Sequence, residues 1–326
     1  MAEMTFLKAT WEAMKEEMER DETVFLLGED MYGWAGNYGQ YKGLLELFGK
    51  ERIISTPISE SAMMGTVVGA AMTGTRPVMD MRFADIITIA MDEIVNQAAK
   101  ARFMFGGQTT MPLVLRCPDG ITSQVAAQHS QSLEAWFIHT PGLQIVAPSN
   151  PADAKGLLKS AIRSDNPIIY FEHKLLFPIS GEVPDGEYLV PIGKASIPKE
   201  GTDITIVSYS MTLRKCLEAA KKLEEEGISC EVVDLRTLSP WDKETVLKSV
   251  EKTGRLLVAH EAVRQGGVGA EIAAVVAEEG FRFLKAPVAR IGAPFVPIPM
   301  SPAIEKYCKI FPEDIMEEVK NTVAYK

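Results

Sequence analysis

Short apolar runs alternate with segments of helical spacing along most of the chain. The runs are rich in Val, Ile and Leu on both faces, which is typical of parallel strands covered by helices on each side. In the first half the predicted strands are 24–27, 52–58, 77–81, 112–116, 143–147 and 167–171. The predicted helices between them are 61–73, 85–104 and 151–163.

The pattern fades between residues 178 and 201, where Pro, Gly and charged residues dominate, and then restarts. Predicted strands follow at 204–209, 228–235 and 255–259, with predicted helices at 213–226, 241–252 and 268–279. A chain of 326 residues is also too long for one ordinary core. We therefore predict an α/β protein of two parallel-sheet domains, 1–180 and 202–326, joined by a linker at 181–201.

Charge and cysteine content narrow the functional classes. The formal net charge is −10, which argues against a general nucleic-acid or anionic-membrane surface. The four cysteines lie far apart in the sequence and indicate reduced thiols rather than disulfides or a zinc site. Neither a signal-peptide pattern nor an apolar run of membrane-spanning length is visible, so we predict a cytoplasmic protein.

Glu60 lies where a predicted strand gives way to a predicted helix. An acidic residue in a first helical turn is commonplace because it complements the helix dipole. The helix that follows is unusual, because small residues leave one face almost bare: Ala62, Gly65, Gly69, Ala70 and Gly74. A glycine inside a helix costs about 1 kcal/mol relative to alanine, which is tolerated where another backbone approaches closely. This pattern predicts tight helix–helix packing of the kind found at subunit boundaries, and a ligand site near Glu60 at the strand ends.

His129 is the second candidate, within the polar segment Gln128-His129-Ser130-Gln131. A lone histidine is more often structural than catalytic. This one, however, follows a small, flexible run between a strand and a helix, where working groups concentrate. Imidazole suits proton transfer near neutral pH.

Several common site motifs do not occur in the sequence. A GxSxG elbow is absent, which argues against a serine hydrolase. The run Gly266-Gly267-Val268-Gly269-Ala270 does not meet the GxGxxG spacing of a dinucleotide loop. Neither a GxxxxGK[ST] loop nor a GDG motif followed by Asn is present to hold a diphosphate through Mg²⁺.

The segments TPISE (56–60) and AAQHSQ (126–131) carry a family resemblance, together with longer stretches in the same order. These stretches are VFLLGED, NQAAKARFMFGG, PGLQIVAPSNPADAKGLL and CEVVDLRTLSPWD. Over essentially its whole length the chain resembles the beta subunit of the thiamin-diphosphate-dependent decarboxylating component of 2-oxo acid dehydrogenase complexes. FEHKLLF and VEKTGRL look most like acetoin dehydrogenase beta chains, with pyruvate and branched-chain types close.

The resemblance implies a thiamin pyrimidine-binding domain followed by a transketolase-type C-terminal domain. It also implies an α₂β₂ heterotetramer, active only with its alpha subunit, which supplies the diphosphate and Mg²⁺ site. The reaction implied is cleavage of the carbon–carbon bond beside the carbonyl of a 2-oxo acid or acetoin. The acyl group would then pass to lipoamide on a lipoyl acyltransferase partner.

The resemblance also implies residue roles. Glu60 matches the carboxyl that hydrogen-bonds the aminopyrimidine ring, Ile58 would line the same pocket, and His129 matches a histidine that assists acyl transfer. Two positions near the pyrimidine depart from the family: Arg82 stands where relatives often have Met or Gln, and Ile86 where an aromatic residue is usual. We predict that these two changes shift substrate choice, towards something anionic in the case of Arg82.

A potassium site is implied for some members of the family. Its oxygen ligands would correspond to Leu113, Ala161, Ile162, Ser164 and Asn166, with Ser164 replacing an acidic residue. A plain helix end before Pro167 explains the same segment equally well.

Two other classes of protein fit parts of this sequence. A free-standing transketolase-like enzyme carries the diphosphate domain on the same chain, and this chain has no room for one. A non-catalytic α/β binding or scaffold subunit fits the lack of a phosphate loop, but it does not explain why Glu60 and His129 occur together.

Overall fold

The computed structural model describes residues 1–36 and 38–325, which form two compact units. The first consists of Met1–Asp119 and Trp136–Ile192, and the second of Gly120–Ala135 and the chain from Gly193 onward. The junction at Ile192 falls inside the predicted linker. The segment 120–135, in contrast, groups with the second unit although the predicted bounds placed it in the first.

The first unit is built on a parallel sheet. Its strands are β1 (Ala2–Thr5), β2 (Val24–Glu29), β3 (Ile53–Thr56), β4 (Arg76–Asp80), β5 (Val114–Asp119), β6 (Gln144–Val146), β7 (Ile168–His173) and β8 (Ser180–Val183). Six of them pair in parallel in the order β6-β7-β5-β4-β2-β3, and β1 pairs antiparallel with β8. The predicted parallel sheet is therefore confirmed, and the carboxyl ends of β2, β3 and β4 lie side by side.

Six α-helices occur among the described residues before residue 192. They are α1 (Phe6–Arg20), α2 (Leu44–Phe48), α3 (Glu60–Met72), α4 (Ala101–Met104), α5 (Glu134–Ile138) and α6 (Pro151–Arg163). α6 begins as its sequence predicts, because the Asn150 side chain accepts a hydrogen bond from the backbone N–H of Asp153 and Pro151 occupies the first turn.

The predicted continuous helix at 85–104 is wrong. The chain instead forms a 3₁₀-helix at Ala84–Ala90, a π-helix at Glu93–Ala98 and the short α4. The first piece contains the β-branched run Ile86-Ile87-Thr88-Ile89, whose side chains lose rotamer freedom in an α-helix. Apolar periodicity alone did not reveal these breaks.

The second unit has its own sheet and core. Its strands are β9 (Ser196–Lys199), β10 (Ile204–Ser208), β11 (Cys230–Asp234), β12 (Thr237–Ser239), β13 (Leu256–Val263) and β14 (Ala289–Ala293). Five of these pair in the order β14-β13-β10-β11-β9, all in parallel except β9. The helices are α7 (Ser210–Glu225), α8 (Lys243–Thr253), α9 (Val268–Glu279), α10 (Pro302–Glu305) and α11 (Pro312–Val323).

The predicted linker at 181–201 is only partly irregular. It includes most of β8 and all of β9, so each end belongs to a strand of its own unit. Pro and Gly in this segment predicted a long irregular connection. The irregular part is shorter, because the residues at both ends pair as strands. No helix within the described ranges 1–36 and 38–325 is long and apolar enough to cross a membrane.

Candidate functional site

Glu60 is the first residue of α3 and follows the carboxyl end of β3. Only 8% of its residue surface is exposed, so Glu60 is a buried acidic residue at the sheet edge. Ser59 precedes the helix without a side-chain capping bond. The position is therefore the predicted strand-to-helix junction, and the carboxyl sits where open α/β sheets collect ligands.

A second carboxyl group, Glu29, lies beside Glu60 at the end of β2 and is buried. Burial raises the pKa of Glu29, the hydrogen bond from Arg82 opposes that rise, and the nearby charge of Glu60 adds to it. Sequence analysis missed Glu29. The signal was available, because VFLLGED ends in acidic residues directly after a strand, as the segment before Glu60 does.

Arg82 is held by two carboxylates at the same edge. Its Nε lies 3.1 Å from Glu29 Oε2, and its Nη2 forms an ion pair with Asp30. The Arg82 backbone has φ of 64°, and Phe83 N–H donates to Met81 O at 2.7 Å across it, a tight and strained turn. Much of the guanidinium charge is thus balanced within the chain.

Asp80, the last residue of β4, connects this edge to a fully buried ion pair. Arg116 on β5 donates from Nε and Nη2 to the two carboxylate oxygens of Glu172 on β7, at 2.9 and 2.6 Å. The Tyr41 hydroxyl donates to Asp80 Oδ1 at 3.3 Å. Burial raises the pKa of Asp80 to about 6, although the charges of Arg116 and Arg82 oppose the rise. We call the carboxyl ends of β2, β3 and β4, with Glu29, Glu60 and Arg82, the Glu60 edge. The buried charges of Arg116, Glu172 and Asp80 form the floor of the Glu60 edge.

Apolar and small residues flank the edge. Ile58 is 76% exposed, so its side chain is available to a ring placed over Glu60. Ile86 is half-buried in the 3₁₀-helix after Arg82. On α3 both Gly65 and Gly69 are exposed: a methyl group at Gly69 would meet no atom within 4 Å, and one at Gly65 would meet only the Glu93 side chain, at 3.9 Å. The bare helix face predicted from sequence is thus uncovered in this chain.

His129 belongs to the second unit, in a segment without regular secondary structure that runs from Gly120 to Leu133. The residue is exposed, whereas its neighbour Ser130 is completely buried. The Gly120 N–H donates to Gln131 O at 3.3 Å, which closes the segment on itself. The prediction of a polar loop between strand and helix is confirmed.

Two buried carboxyl groups adjoin this segment. Burial raises the pKa of Glu134 to about 7, and the charge of Glu261 adds to the rise. Glu261 on β13 accepts a hydrogen bond from the Ile121 N–H at 2.6 Å and has Lys215 Nζ at 3.8 Å. Sequence analysis identified neither glutamate, because nothing local marks them as partners of the His129 segment.

The oxygens of the predicted potassium site already accept hydrogen bonds. Leu113 O accepts from Ile168 N at 3.0 Å and Ala161 O from Ser164 N at 3.2 Å. Arg76 Nη1 donates to Ile162 O at 3.1 Å and to Ser164 O at 2.9 Å, and Arg102 Nη1 to Asn166 Oδ1 at 3.1 Å. The arrangement fits a potassium ion poorly, because two guanidinium groups share its ligands.

Among the residues that the structure describes, no group of three or more His, Cys, Asp or Glu side chains is arranged to hold a metal ion. The edge around Glu60 offers a different chemistry. A buried carboxyl group, an ion-paired second carboxyl and an exposed Ile58 together fit a flat, nitrogen-containing heteroaromatic ring.

Comparison with known proteins finds a matching domain family for each unit. Residues 2–179 match the transketolase pyrimidine-binding domain, and residues 193–315 match the transketolase C-terminal domain. Among solved structures, a split-gene transketolase described as an inactive beta4 tetramer superposes with a TM-score of 0.82 at 24% identity, covering 99% of both chains. Transketolase from Pichia stipitis gives a TM-score of 0.72 at 18% identity over 46% of its chain. These likenesses establish the fold.

Closer relatives are found among dehydrogenase subunits. The chain is 45% identical to the 2-oxoisovalerate dehydrogenase subunit beta of Bacillus subtilis, over all of both proteins. It is 46% identical to the acetoin:2,6-dichlorophenolindophenol oxidoreductase subunit beta of Cupriavidus necator, over 90% of each. Identity is 43% to the pyruvate dehydrogenase E1 component subunit beta of Rickettsia felis, over 99% of each. Both domains are matched, and relatives of 43–46% identity cover nearly the full length of the chain. These relatives are oxidoreductases in which a beta chain works with an alpha chain. The chain therefore belongs to the beta subunits of the thiamin-diphosphate-dependent 2-oxo acid and acetoin dehydrogenases.

Proposed function

We propose that this beta chain supplies the pyrimidine half of the thiamin diphosphate site, with Glu60 as its central residue. Bound thiamin diphosphate provides the electron sink that lets the carbon–carbon bond beside a carbonyl break. Glu60 would hydrogen-bond the pyrimidine ring nitrogen, and Ile58 would pack on the ring. The observation that carries this proposal is a buried carboxyl group at the carboxyl ends of three parallel strands, beside Glu29.

His129 would act on the acyl group. An exposed imidazole in an irregular segment is suited to move a proton to or from a reacting oxygen or sulfur, and we propose that it assists transfer to lipoamide. The lipoamide would be carried by a lipoyl acyltransferase component. The substrate is a small 2-oxo acid or acetoin, since relatives at similar identity are named for 2-oxoisovalerate, acetoin and pyruvate.

The active assembly that we propose is an α₂β₂ heterotetramer in which the alpha subunit holds the diphosphate and Mg²⁺. The exposed face of α3 around Gly69, where an added methyl group would meet no atom within 4 Å, supports close packing of another subunit there. Such packing would offset the cost of glycine within a helix. The four buried free thiols also support a cytoplasmic location for the assembly.

Arg82 and Ile86 remain our candidates for substrate choice. The pairing of Arg82 with Glu29 and Asp30 leads us to propose that its main action is to orient Glu29, with any attraction for an anionic substrate secondary. Ile86, half-buried and smaller than an aromatic ring, would leave more room beside the pyrimidine.

Reconstitution with the alpha subunit tests the role of Glu60. We expect Glu60→Gln to lower thiamin-dependent decarboxylation by about 100-fold or more, because a preorganised hydrogen bond to the cofactor is lost. The matched control is Glu46→Gln, since Glu46 is an exposed acidic residue in the first turn of α2. Thermal stability is measured for both variants, together with activity on pyruvate, branched 2-oxo acids and acetoin.

Equal activities of the two variants would mean that Glu60 only complements a helix dipole, and a non-catalytic binding or scaffold subunit would become the better account. Activity of the beta chain without any alpha subunit would contradict the shared site. A substrate preference that is unchanged by Arg82→Met and Ile86→Phe would remove both residues from substrate choice.

A further inference from the structure

The His129 segment holds a strained backbone. Gln124 and Ala126 have φ of 59° and 62°, in the left-handed region that residues with a Cβ seldom adopt. Neither residue is in a helix or strand whose backbone hydrogen bonds would impose that conformation. The backbone hydrogen bonds within the segment are long, 3.4 Å from His129 N–H to Ala126 O and 3.3 Å from Gly120 N–H to Gln131 O, and shorter ones join it to residues further along the chain.

An ion pair between buried Glu305 and half-buried Lys309 contributes to these longer-range bonds. Glu305, at the end of α10, is buried, and its Oε1 accepts a hydrogen bond from the strained Gln124 N–H at 2.9 Å. Its Oε2 accepts from Lys309 Nζ at 2.7 Å. The same Nζ donates to Thr122 O at 2.9 Å. One ion pair thus fixes both a donor and an acceptor of the segment, through charge-assisted hydrogen bonds.

The remainder of the segment is tied down on both sides of His129. Ile121 N–H donates to Glu261 Oε1 at 2.6 Å, and the side chain of Ser130 is completely buried. His129 lies between these anchored points with its side chain exposed. The anchored backbone on either side therefore helps to set the position of His129.

We propose that Glu305, together with Lys309, is a positioning residue that holds the His129 segment in the conformation needed for acyl transfer. This proposal rests on the proposed role of His129. Without the Glu305 carboxylate, Gln124 loses the bond that fixes its amide, and the strained backbone relaxes toward ordinary φ values. His129 then moves, and displacement of a working group by about 1 Å can reduce a rate by about 100-fold.

The main experiment separates two partial reactions of the complex with the alpha subunit. We expect Glu305→Ala to lower reductive acylation of lipoamide about tenfold, a partial form of that misplacement effect. Decarboxylation with an artificial electron acceptor is expected to stay within about twofold of the wild type. Glu305→Gln, whose side-chain oxygen can still accept from Gln124 N–H, is expected to restore part of the loss. Exposed Glu317 on α11 serves as the control, as Glu317→Ala.

A double-mutant cycle identifies the route of action. If Glu305 acts through His129, Glu305→Ala combined with His129→Asn is no slower in acylation than His129→Asn alone. Additive losses, or equal losses in the two partial reactions, would overturn the proposal. If Glu305→Ala does not fold, Glu305→Gln and Lys309→Met are used in the same cycle.

A measurement on the isolated beta chain keeps this proposal separate from the proposed function. The His129 imidazole resonance, assigned by its loss in His129→Asn, is expected to shift in Glu305→Ala while the unfolding midpoint stays close to that of Glu317→Ala. An unchanged resonance would overturn the positioning role. Absence of decarboxylation by the wild-type complex would instead overturn the proposed function.

Discussion

The Glu60 edge and the His129 segment reach their geometry by different means. Glu60 is placed by regular structure, since a strand ends, a helix begins and neighbouring parallel strands bring Glu29 and Arg82 alongside. His129 lies in an irregular segment whose amides are held by Glu261 and Glu305, 140 and 181 residues further along the chain. One site is specified by local pattern and the other by long-range polar contacts.

Their charges are balanced differently as well. Beneath the Glu60 edge, the guanidinium of Arg116 faces Glu172 and Asp80, so opposite charges are buried together. Near the His129 segment, Glu134 and Glu261 are carboxyl groups buried beside each other. Paired opposite charges hold an edge across a wide pH range, whereas two neighbouring carboxyls depend on one of them keeping its proton.

The largest effect is expected from Arg116→Ala in the first unit. The substitution leaves Glu172 buried without its partner, which costs about 3–5 kcal/mol of unfolding free energy. Urea unfolding of the isolated chain measures it. Lys248→Ala, which breaks an exposed ion pair with Glu244, is the control and is expected to cause no resolvable change. A similar small change in Arg116→Ala would mean that the floor of the Glu60 edge does not depend on this pair.

The next effect concerns pH and the second unit. Because the native pKa of Glu134 is raised to about 7, the folded chain binds a proton there that the unfolded chain has released above about pH 4.5. The contribution of Glu134 to stability therefore falls as pH rises through that window and levels off above it, whereas His260, whose pKa burial lowers to about 4, contributes a slope of the opposite sign. Glu134→Gln removes this contribution, so its stability relative to the wild type should improve by about 3 kcal/mol between pH 4.5 and 7.

Unfolding free energies measured across the pH range test this difference between the regions. Asp80, whose pKa is raised to about 6, contributes a slope of the same sign that ends at a lower pH. The Glu134→Gln variant should keep the contributions of Asp80 and of the other shifted groups and lose only that of Glu134. If the two curves run parallel from pH 4.5 to 7, Glu134 ionises normally in the folded state.

Arg82→Met should have an intermediate effect on the Glu60 edge. Loss of the Nε bond leaves Glu29 without its partner, and we expect kcat/KM of the reconstituted enzyme to fall about tenfold, or about 1.4 kcal/mol. Asp30→Asn is the matched control, because it removes the other ion pair of Arg82 and spares Glu29. Equal losses in both variants would place the effect in the Arg82 turn itself rather than in Glu29.

The smallest effect is expected from potassium. Since Arg76 and Arg102 already donate to oxygens of the predicted site, exchanging NaCl for KCl should raise the unfolding temperature by no more than about 2 °C. Differential scanning at equal ionic strength measures the change. A large potassium-specific rise would show that the ion binds these carbonyls together with the guanidinium groups. The potassium site predicted from the sequence would then be correct, as the position of Glu60 is.

The sequence alone determined the α/β class, the parallel sheets and the position of Glu60. Apolar runs and helical spacing are local properties, and the junction at Glu60 depends on residues within one strand and one helix. The long shared stretches also determined the family, because their order and length exceed what any single motif provides. The break in the predicted 85–104 helix could also have been predicted, because the sequence contains the β-branched run from Ile86 to Ile89.

Only the tertiary structure decided the rest. Residues 120–135 group with the second unit because buried glutamates distant in sequence bind their amides, and no periodicity encodes such a contact. The pairing of Arg82 with Glu29 likewise depends on β2 and β4 lying side by side. Local pattern specifies where an element begins and which face it buries, whereas polar partners across the fold depend on how the elements are brought together.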